Sequence, residues 1–168
     1  MKLIYAKTAL YAYPYLKSLI KQYNDLVMEK ALKSFRNPGH ADEQCEVIAD
    51  LQIQKQDLVD LKAAIDVALS EFTPKDIRHF QYKFFKQQKE ADFRWEYPRS
   101  RKYFREQEML INKFAWEMTK AGITDDWFEE ALKISALAGF YRKAKDREEA
   151  IQSSANARVT NVFVVAEA

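Results

Sequence analysis

Residues that interrupt helices are scarce in this chain of 168 residues, and that scarcity limits what it can fold into. Only 3 Gly and 4 Pro are present, and one of the few clear breaks is the segment Asn37-Pro38-Gly39-His40. Because β architectures with many tight turns need more of these residues, the pattern favours long helices. Hydrophobic residues make up 48% of the chain, enough to bury a sizeable core. The sequence therefore predicts an all-α fold.

Apolar residues recur at helical spacing on both sides of this break. Leu3 to Phe35 is predicted to form the first helix, with Pro14 marking the start of its regular part, and Ala41 to Phe72 the second. Two long helices joined by four turn residues are expected to fold back as a long antiparallel hairpin. Residues 1–72 are therefore predicted to be a hairpin arm, and its apolar stripe is either internal packing or the seam of a homodimer.

Turn signals divide residues 73–122 into three helices. Thr73-Pro74 begins a helix expected to reach about Gln88, and a short helix from Lys89 to Tyr97 is ended by Pro98. Ser100 then caps a longer helix from Arg101 to about Lys120, and Gly122 ends it. The buried stripe of this longer helix is expected to contain Tyr103 or Phe104, with Gln107, Leu110, Ile111, Phe114 and Met118.

Residues 123–168 are predicted to be a C-terminal helical extension and tail. Thr124 caps a helix expected to run to about Ala138, where Gly139 interrupts it, and helix could resume from Phe140 to Gln152. From Arg158 onward the chain is rich in β-branched and aromatic residues, which predicts a short strand or a docked tail.

Few residues offer catalytic or metal chemistry. Cys45 is the only cysteine, so an intramolecular disulfide is excluded. His40 is expected to be a solvated loop residue, and His79 to lie at the surface or face phosphate. Metal-binding spacings such as Cys-x-x-Cys and a Gly-rich phosphate loop after a strand are both lacking. We therefore expect no metal, no cofactor and no enzymatic activity; the enzyme hypothesis would need a cleft lined by Asp125, Glu129 or His79.

The sequence also bears on location. It has no run of about 18 or more apolar residues, the length that a membrane span needs. Tyr and Pro interrupt the apolar stretch at the N-terminus, which disfavours a secretory signal. We expect a cytoplasmic protein with no membrane partner.

Positive charge is concentrated in the middle of the chain. The segment from Lys75 to Arg105 contains ten Lys or Arg and four Asp or Glu, a net charge of +6, whereas the whole chain carries +2. A charge distribution this uneven indicates a surface for an anionic partner. The alternative is a solvated basic face that keeps the protein soluble.

The basic helix that follows Pro98 carries the candidate DNA contacts. With Ser100 as the N-cap, Arg101, Lys102 and Arg105 project from the first turns, where they can hold phosphates or grip guanine in the major groove. The segment from Ala91 to Glu96 would then be the first helix of a helix-turn-helix, and residues 73–122 the DNA-binding domain. Gln107, further along, is also expected to reach the duplex. The predicted DNA-binding residues are Arg99, Ser100, Arg101, Lys102, Arg105, Asn112 and Lys113.

The order of these segments resembles a family of phage-type transcription regulators of Gram-positive bacteria. These are the autolysin-regulator-like proteins, whose C-terminal part is similar to region 4 of sigma-70 factors. A Ser-x-Arg-Thr-x-Tyr-Arg signature opens the recognition helix of that family, and Ser100 to Arg105 approximates it, with Leu110-Ile111 and Phe114-Ala115 as packing positions. The resemblance covers Pro74 to about Lys120. It implies a sigma-region-4-like helix-turn-helix that binds double-stranded promoter DNA, with RNA polymerase as a further partner.

Two functional hypotheses therefore stand beside each other. The first is a DNA-binding transcription regulator, related to a phage or prophage. The second is a non-catalytic helical module for protein–protein interaction that acts through the N-terminal hairpin. Both can hold, since many DNA-binding proteins dimerise to span two half-sites.

Overall fold

The computed structural model describes residues 1–36, 41–85 and 101–165, except for the side chains at 41, 152 and 154–165. The described residues are helical, with no strand among them, which confirms the predicted all-α class. The helices are α1 (Leu3–Arg36), α2 (Ala41–Ser70), α3 (Pro74–Phe80) with a π-helical turn (Gln81–Phe85), α4 (Arg101–Lys120), α5 (Asp125–Ala131) and α6 (Ser135–Val165).

Helices α1 and α2 lie antiparallel. The Tyr13 hydroxyl donates to Asp66 at 2.8 Å, and the Tyr23 hydroxyl donates to Gln54 at 3.1 Å. The residue numbers rise along α1 while those of the partners on α2 fall, so the two helices run in opposite directions. Pro14 lies inside α1 and does not mark its start, so that part of the prediction is wrong. The residues before it, Tyr5 to Ala12, are mostly buried, and this packing offsets the backbone hydrogen bond that Pro14 cannot make.

One hydrophobic core draws on all three predicted segments, 1–72, 73–122 and 123–168. The buried Phe80 ring lies 5.3 Å from the Phe72 ring and 5.9 Å from the Phe114 ring between centroids. Side chains of α1 complete the core, where Tyr11 packs on Phe84 at 4.8 Å. The segment that carries the predicted DNA contacts is therefore anchored on the N-terminal segment and shares one core with the C-terminal segment.

Local capping sets the ends of the helices around α4. Thr73 and Asp76 form a reciprocal capping box at the start of α3. At the end of α4, Gly122 adopts a positive φ of 91° and donates to the Thr119 carbonyl, while Ile123 donates to the Met118 carbonyl. These two hydrogen bonds define a Schellman motif, in which Gly is favoured because it has no Cβ.

The C-terminal part differs from its prediction in two respects. The helix that begins after Thr124 ends at Ala131, and α6 begins at Ser135, so the break precedes Ala138 and Gly139 lies within a helix. Buried Ile134, between the two helices, accounts for the early break, because the core takes this side chain at a turn. The stretch from Arg158 is not a strand, since α6 continues to Val165.

The third predicted helix also differs. Beyond Phe80 the backbone widens into the π-helical turn, and Phe80, Phe84 and Phe85 are all buried. The described residues do not include the end of this predicted helix, residues 86–88, or the short helix predicted from Lys89 to Tyr97. They do not include His40 either.

Candidate nucleic-acid interface

Helix α4 has one docked side and one solvent side. Its inner side is formed by residues three and four apart along the chain, as expected for a surface helix. Phe104 is 56% exposed, so of the two alternatives Tyr103 is the residue that points inward. The buried residues of α4 are Tyr103, Gln107, Ile111, Phe114, Ala115, Glu117 and Met118.

Three of the predicted contacts are exposed cations at the start of α4. Arg101, Lys102 and Arg105 are all exposed, and Arg101 and Arg105 are one turn apart, which places them on the same side of the helix. Lys102 lies 4.0 Å from the Glu106 carboxylate, an ion pair that water screens because the Lys102 side chain is 84% exposed. All three cations can therefore reach an external anion.

The other four predicted contacts differ in their surroundings. Arg99 and Ser100 lie outside the described residues. Asn112 is exposed on the side of Arg105, and its amide donates to the Glu108 carbonyl of its own helix at 3.0 Å. Lys113 binds the protein itself, as described next.

Lys113 joins α4 to the end of α2. Its Nζ donates to the Glu71 carbonyl at 2.7 Å and lies 4.4 Å from the centre of the Phe72 ring. A cation is favoured at this position because carbonyl groups at the end of a helix lack backbone partners and carry partial negative charge. The structure thus gives Lys113 a role in packing.

Two polar side chains predicted to face DNA are buried instead. Gln107 is buried, which agrees with its place in the predicted stripe, and it accepts a hydrogen bond from Lys83 Nζ at 2.5 Å, so its predicted reach to the duplex is wrong. Burial, followed by the charges of Lys7 and Arg147, lowers the pKa of Lys83 to about 8. Lys83 therefore belongs to the interior side of the basic segment.

His79 is likewise buried, at 3% exposure, which contradicts its predicted surface position. Its ring stacks on Tyr103, with centroids 5.6 Å apart. Burial lowers the pKa of His79, although Glu106 and Asp76 oppose the shift. The histidine thus connects α3 to the first turn of α4.

Helices α3 and α4 border an open groove of about 210 Å³. Its lining mixes both signs of charge with apolar side chains, and Lys75 lies on its α3 side. Lys75 and Arg78 are both exposed. The lining residues are Lys75, Asp76, His79, Glu106, Met109 and Leu110.

The solvent side of α4 also carries apolar residues that the sequence reasoning missed. Met109 is 69% exposed, and Trp116 is 60% exposed. Arg105, Met109, Asn112 and Trp116 follow one another at intervals of four and three residues, so they form one stripe along the helix. That spacing is visible in the sequence and could have identified the stripe. Lys120 lies at the end of this stripe, with its Nζ 4.1 Å from the centre of the Trp116 ring.

No protein-family model matches the chain, and no curated protein or solved structure shows significant similarity to it. Within the described ranges, no helix has the length and apolar character needed to cross a membrane. The same part of the chain contains no group of three or more His, Cys, Asp or Glu arranged to hold a metal ion.

Proposed function

We propose that the protein is a DNA-binding transcription regulator of phage or prophage type, which uses the N-terminal turns of α4 in the major groove. The observation that carries the proposal is the joint exposure of Arg101, Lys102 and Arg105 on a helix whose opposite side is held in the core. A rigidly docked helix can present cations in a fixed register, which groove recognition requires. The helix-turn-helix itself, and contact with RNA polymerase, remain predictions from the resemblance.

The arrangement of charged and polar side chains on α4 supports this proposal over the alternative of a solvated basic face. Arg101, Arg105 and Asn112 lie on one side of α4, and Arg and Asn are the side chains that make paired hydrogen bonds to guanine and adenine. Lys75 and Arg78 on the neighbouring α3 add exposed positive charge. A surface that served solubility alone would need no such alignment.

The test is a binding measurement on duplex genomic fragments over a series of salt concentrations. We expect a steep loss of affinity with salt, because each neutralised phosphate releases counterions. The triple variant Arg101→Gln, Lys102→Gln and Arg105→Gln should bind more weakly, and each lost phosphate contact should reduce the logarithmic salt slope by about 1.

A matched triple variant controls for net charge. Lys133→Gln, Arg142→Gln and Lys145→Gln remove the same three charges from exposed positions after α4. These changes should leave the binding curve close to that of the unaltered protein. Equal losses in the two triple variants, or no binding by the unaltered protein at low salt, would contradict the proposal.

A second candidate function is protein interaction through the arm formed by α1 and α2. The observation in its favour is the exposure of large apolar side chains near the end of α1, above all Phe35 at 88%. Apolar patches of this kind mark interaction surfaces in soluble proteins. A photo-crosslinking amino acid at position 35 tests it, since a free surface would give no crosslinked protein product.

A further inference from the structure

The arm formed by α1 and α2 has a distal half without buried side chains. Leu16 is the last buried residue of α1, and Leu58 is the first of α2. We define the distal arm as residues 17–36 and 42–57. Within it, the two helices contact each other through partly buried residues such as Tyr23 and Gln54. Two helices alone can hide only the stripes that face each other, so other apolar residues stay in water.

Those residues form a continuous strip on α1. Met28 is 62% exposed, Leu32 is 55% exposed and Phe35 is 88% exposed. Together with Ala31 they occupy the spacing i, i+3, i+4 and i+7, which places them on one side of the helix. This is the pattern by which a helix packs against another helix, and here α2 does not cover it.

The distal arm is also divided by charge. Its α1 half contains five Lys or Arg and two Asp or Glu, a net charge of +3. Its α2 half contains one Lys and five Asp or Glu, a net charge of −4. A partner that covers both helices must therefore offer an acidic helix to α1 and a basic helix to α2.

A second copy of this chain meets that requirement. We propose that two distal arms pack about a two-fold axis, so that α1 of each copy lies against α2 of the other. A two-fold interface is self-complementary, and the opposite net charges of the two helices then face each other at both contacts. The four helices form a bundle that covers Met28, Leu32 and Phe35 of each copy. This inference deepens the second candidate function and rests on it.

The size of the surface is sufficient for such a dimer. Twenty residues of helix extend about 30 Å, and two adjacent helices are about 20 Å across. Each arm thus offers roughly 600 Å², or roughly 1,200 Å² for both copies, the lower bound for stable interfaces. A dimer that dissociates on dilution is the expected behaviour.

The first experiment measures molar mass by light scattering over a range of protein concentrations. We expect a shift from 19.8 kDa towards twice that value as the concentration rises. The double variant Leu32→Glu and Phe35→Glu should stay at the monomer mass with unchanged helical circular dichroism. Ile151→Glu, at a residue 64% exposed on α6, is the matched control and should still dimerise.

A charge-reversal pair tests the proposed arrangement. Lys33→Glu with Arg36→Glu changes the net charge of the α1 half from +3 to −1, and Glu46→Lys with Asp50→Lys changes that of the α2 half from −4 to 0. Each variant alone should associate more weakly than the unaltered chain, because neither retains the attraction between the two helices, whereas an equimolar mixture restores a contact of +3 against −4 and should form the mixed dimer. Failure of the mixture to associate while the unaltered chain dimerises would overturn the arrangement of α1 against α2.

Photo-crosslinking in cells from position 35 separates failure of this inference from failure of the broader interaction function. A product of twice the chain mass supports the dimer. A product with a different protein, combined with a monomeric mass in solution, overturns the second copy as occupant and supports the broader function. No product overturns both, and none of these results bears on DNA binding.

Discussion

Lys83 shows that tertiary packing can partly bury a side chain whose sequence context predicts exposure. It belongs to the basic segment, yet it donates to the buried Gln107, and its pKa falls to about 8, mainly through burial. The surrounding sequence could not reveal this, because Lys7 and Arg147, the nearby cations, come from helices α1 and α6. The partial burial of Lys83 depends on tertiary packing, whereas the exposure of Arg105 followed from helical periodicity alone.

The lowered pKa of Lys83 predicts a pH dependence of stability. The unfolded chain keeps this lysine protonated up to about pH 10.4, whereas the folded chain releases the proton near pH 8. The unfolded state therefore binds more protons across this interval, and the free energy of unfolding should rise with pH. The gain between pH 8 and 10 is on the order of 2 kcal/mol.

Chemical denaturation at several pH values measures this effect. The variant Lys83→Met removes the titrating group and keeps the apolar stem, so its pH curve should be flatter between pH 8 and 10. Above about pH 10 the raised pKa of Tyr13, to about 12, acts in the opposite direction, because the folded state resists ionisation of this phenol. If the free energy of unfolding changed with pH in the same way in the unaltered protein and in Lys83→Met below pH 10, Lys83 would not be the group responsible.

At the scale of single helices, the combined cap and breaker signals around α4 were good guides, whereas the isolated breakers Pro14 and Gly139 lie inside helices. The bounds of α4 were predicted because Pro98, Ser100 and Gly122 stand at its ends, and α4 spans Arg101–Lys120. The break after Ala131 was missed because neither Gly nor Pro lies there and the core position of Ile134 decides it. The last part of α6 was misjudged because β propensity is weak against the extension of an existing helix.

The two glycines near α4 and α6 should respond to alanine in opposite ways. Gly122 has a φ of 91°, and an added Cβ would meet nothing within 4 Å, so Gly122→Ala costs only backbone strain, about 1 to 2 kcal/mol. Gly139 lies inside α6, also with open space at its Cβ, so Gly139→Ala should stabilise the protein by up to about 1 kcal/mol. Denaturant titration of both variants measures the difference, and equal effects would refute the assignment of the Schellman motif.

At the scale of the whole molecule, the burial of side chains changes markedly along α1. Its first half contributes Leu10 and Leu16 to the core, whereas its second half, from residue 17 to Arg36, contains no buried side chain. Apart from the one hydrogen bond that Pro14 cannot make, the backbone hydrogen bonds are of the same kind throughout, so the greater stability expected of the first half must come from packing. The sequence did not predict this difference, since apolar residues recur at helical spacing in both halves.

Amide hydrogen exchange should detect this gradient. In dilute protein we expect slow exchange around Leu10 and Leu16 and faster exchange from Tyr23 to Arg36, because local opening is easier where little apolar surface is buried. At high concentration, protection should rise in the distal arm if two copies cover it, while Phe114 in the core of α4 serves as the unchanged reference. Uniform protection along α1 in dilute protein would show that the arm is as tightly held as the core, and the case for an unsatisfied surface there would fail.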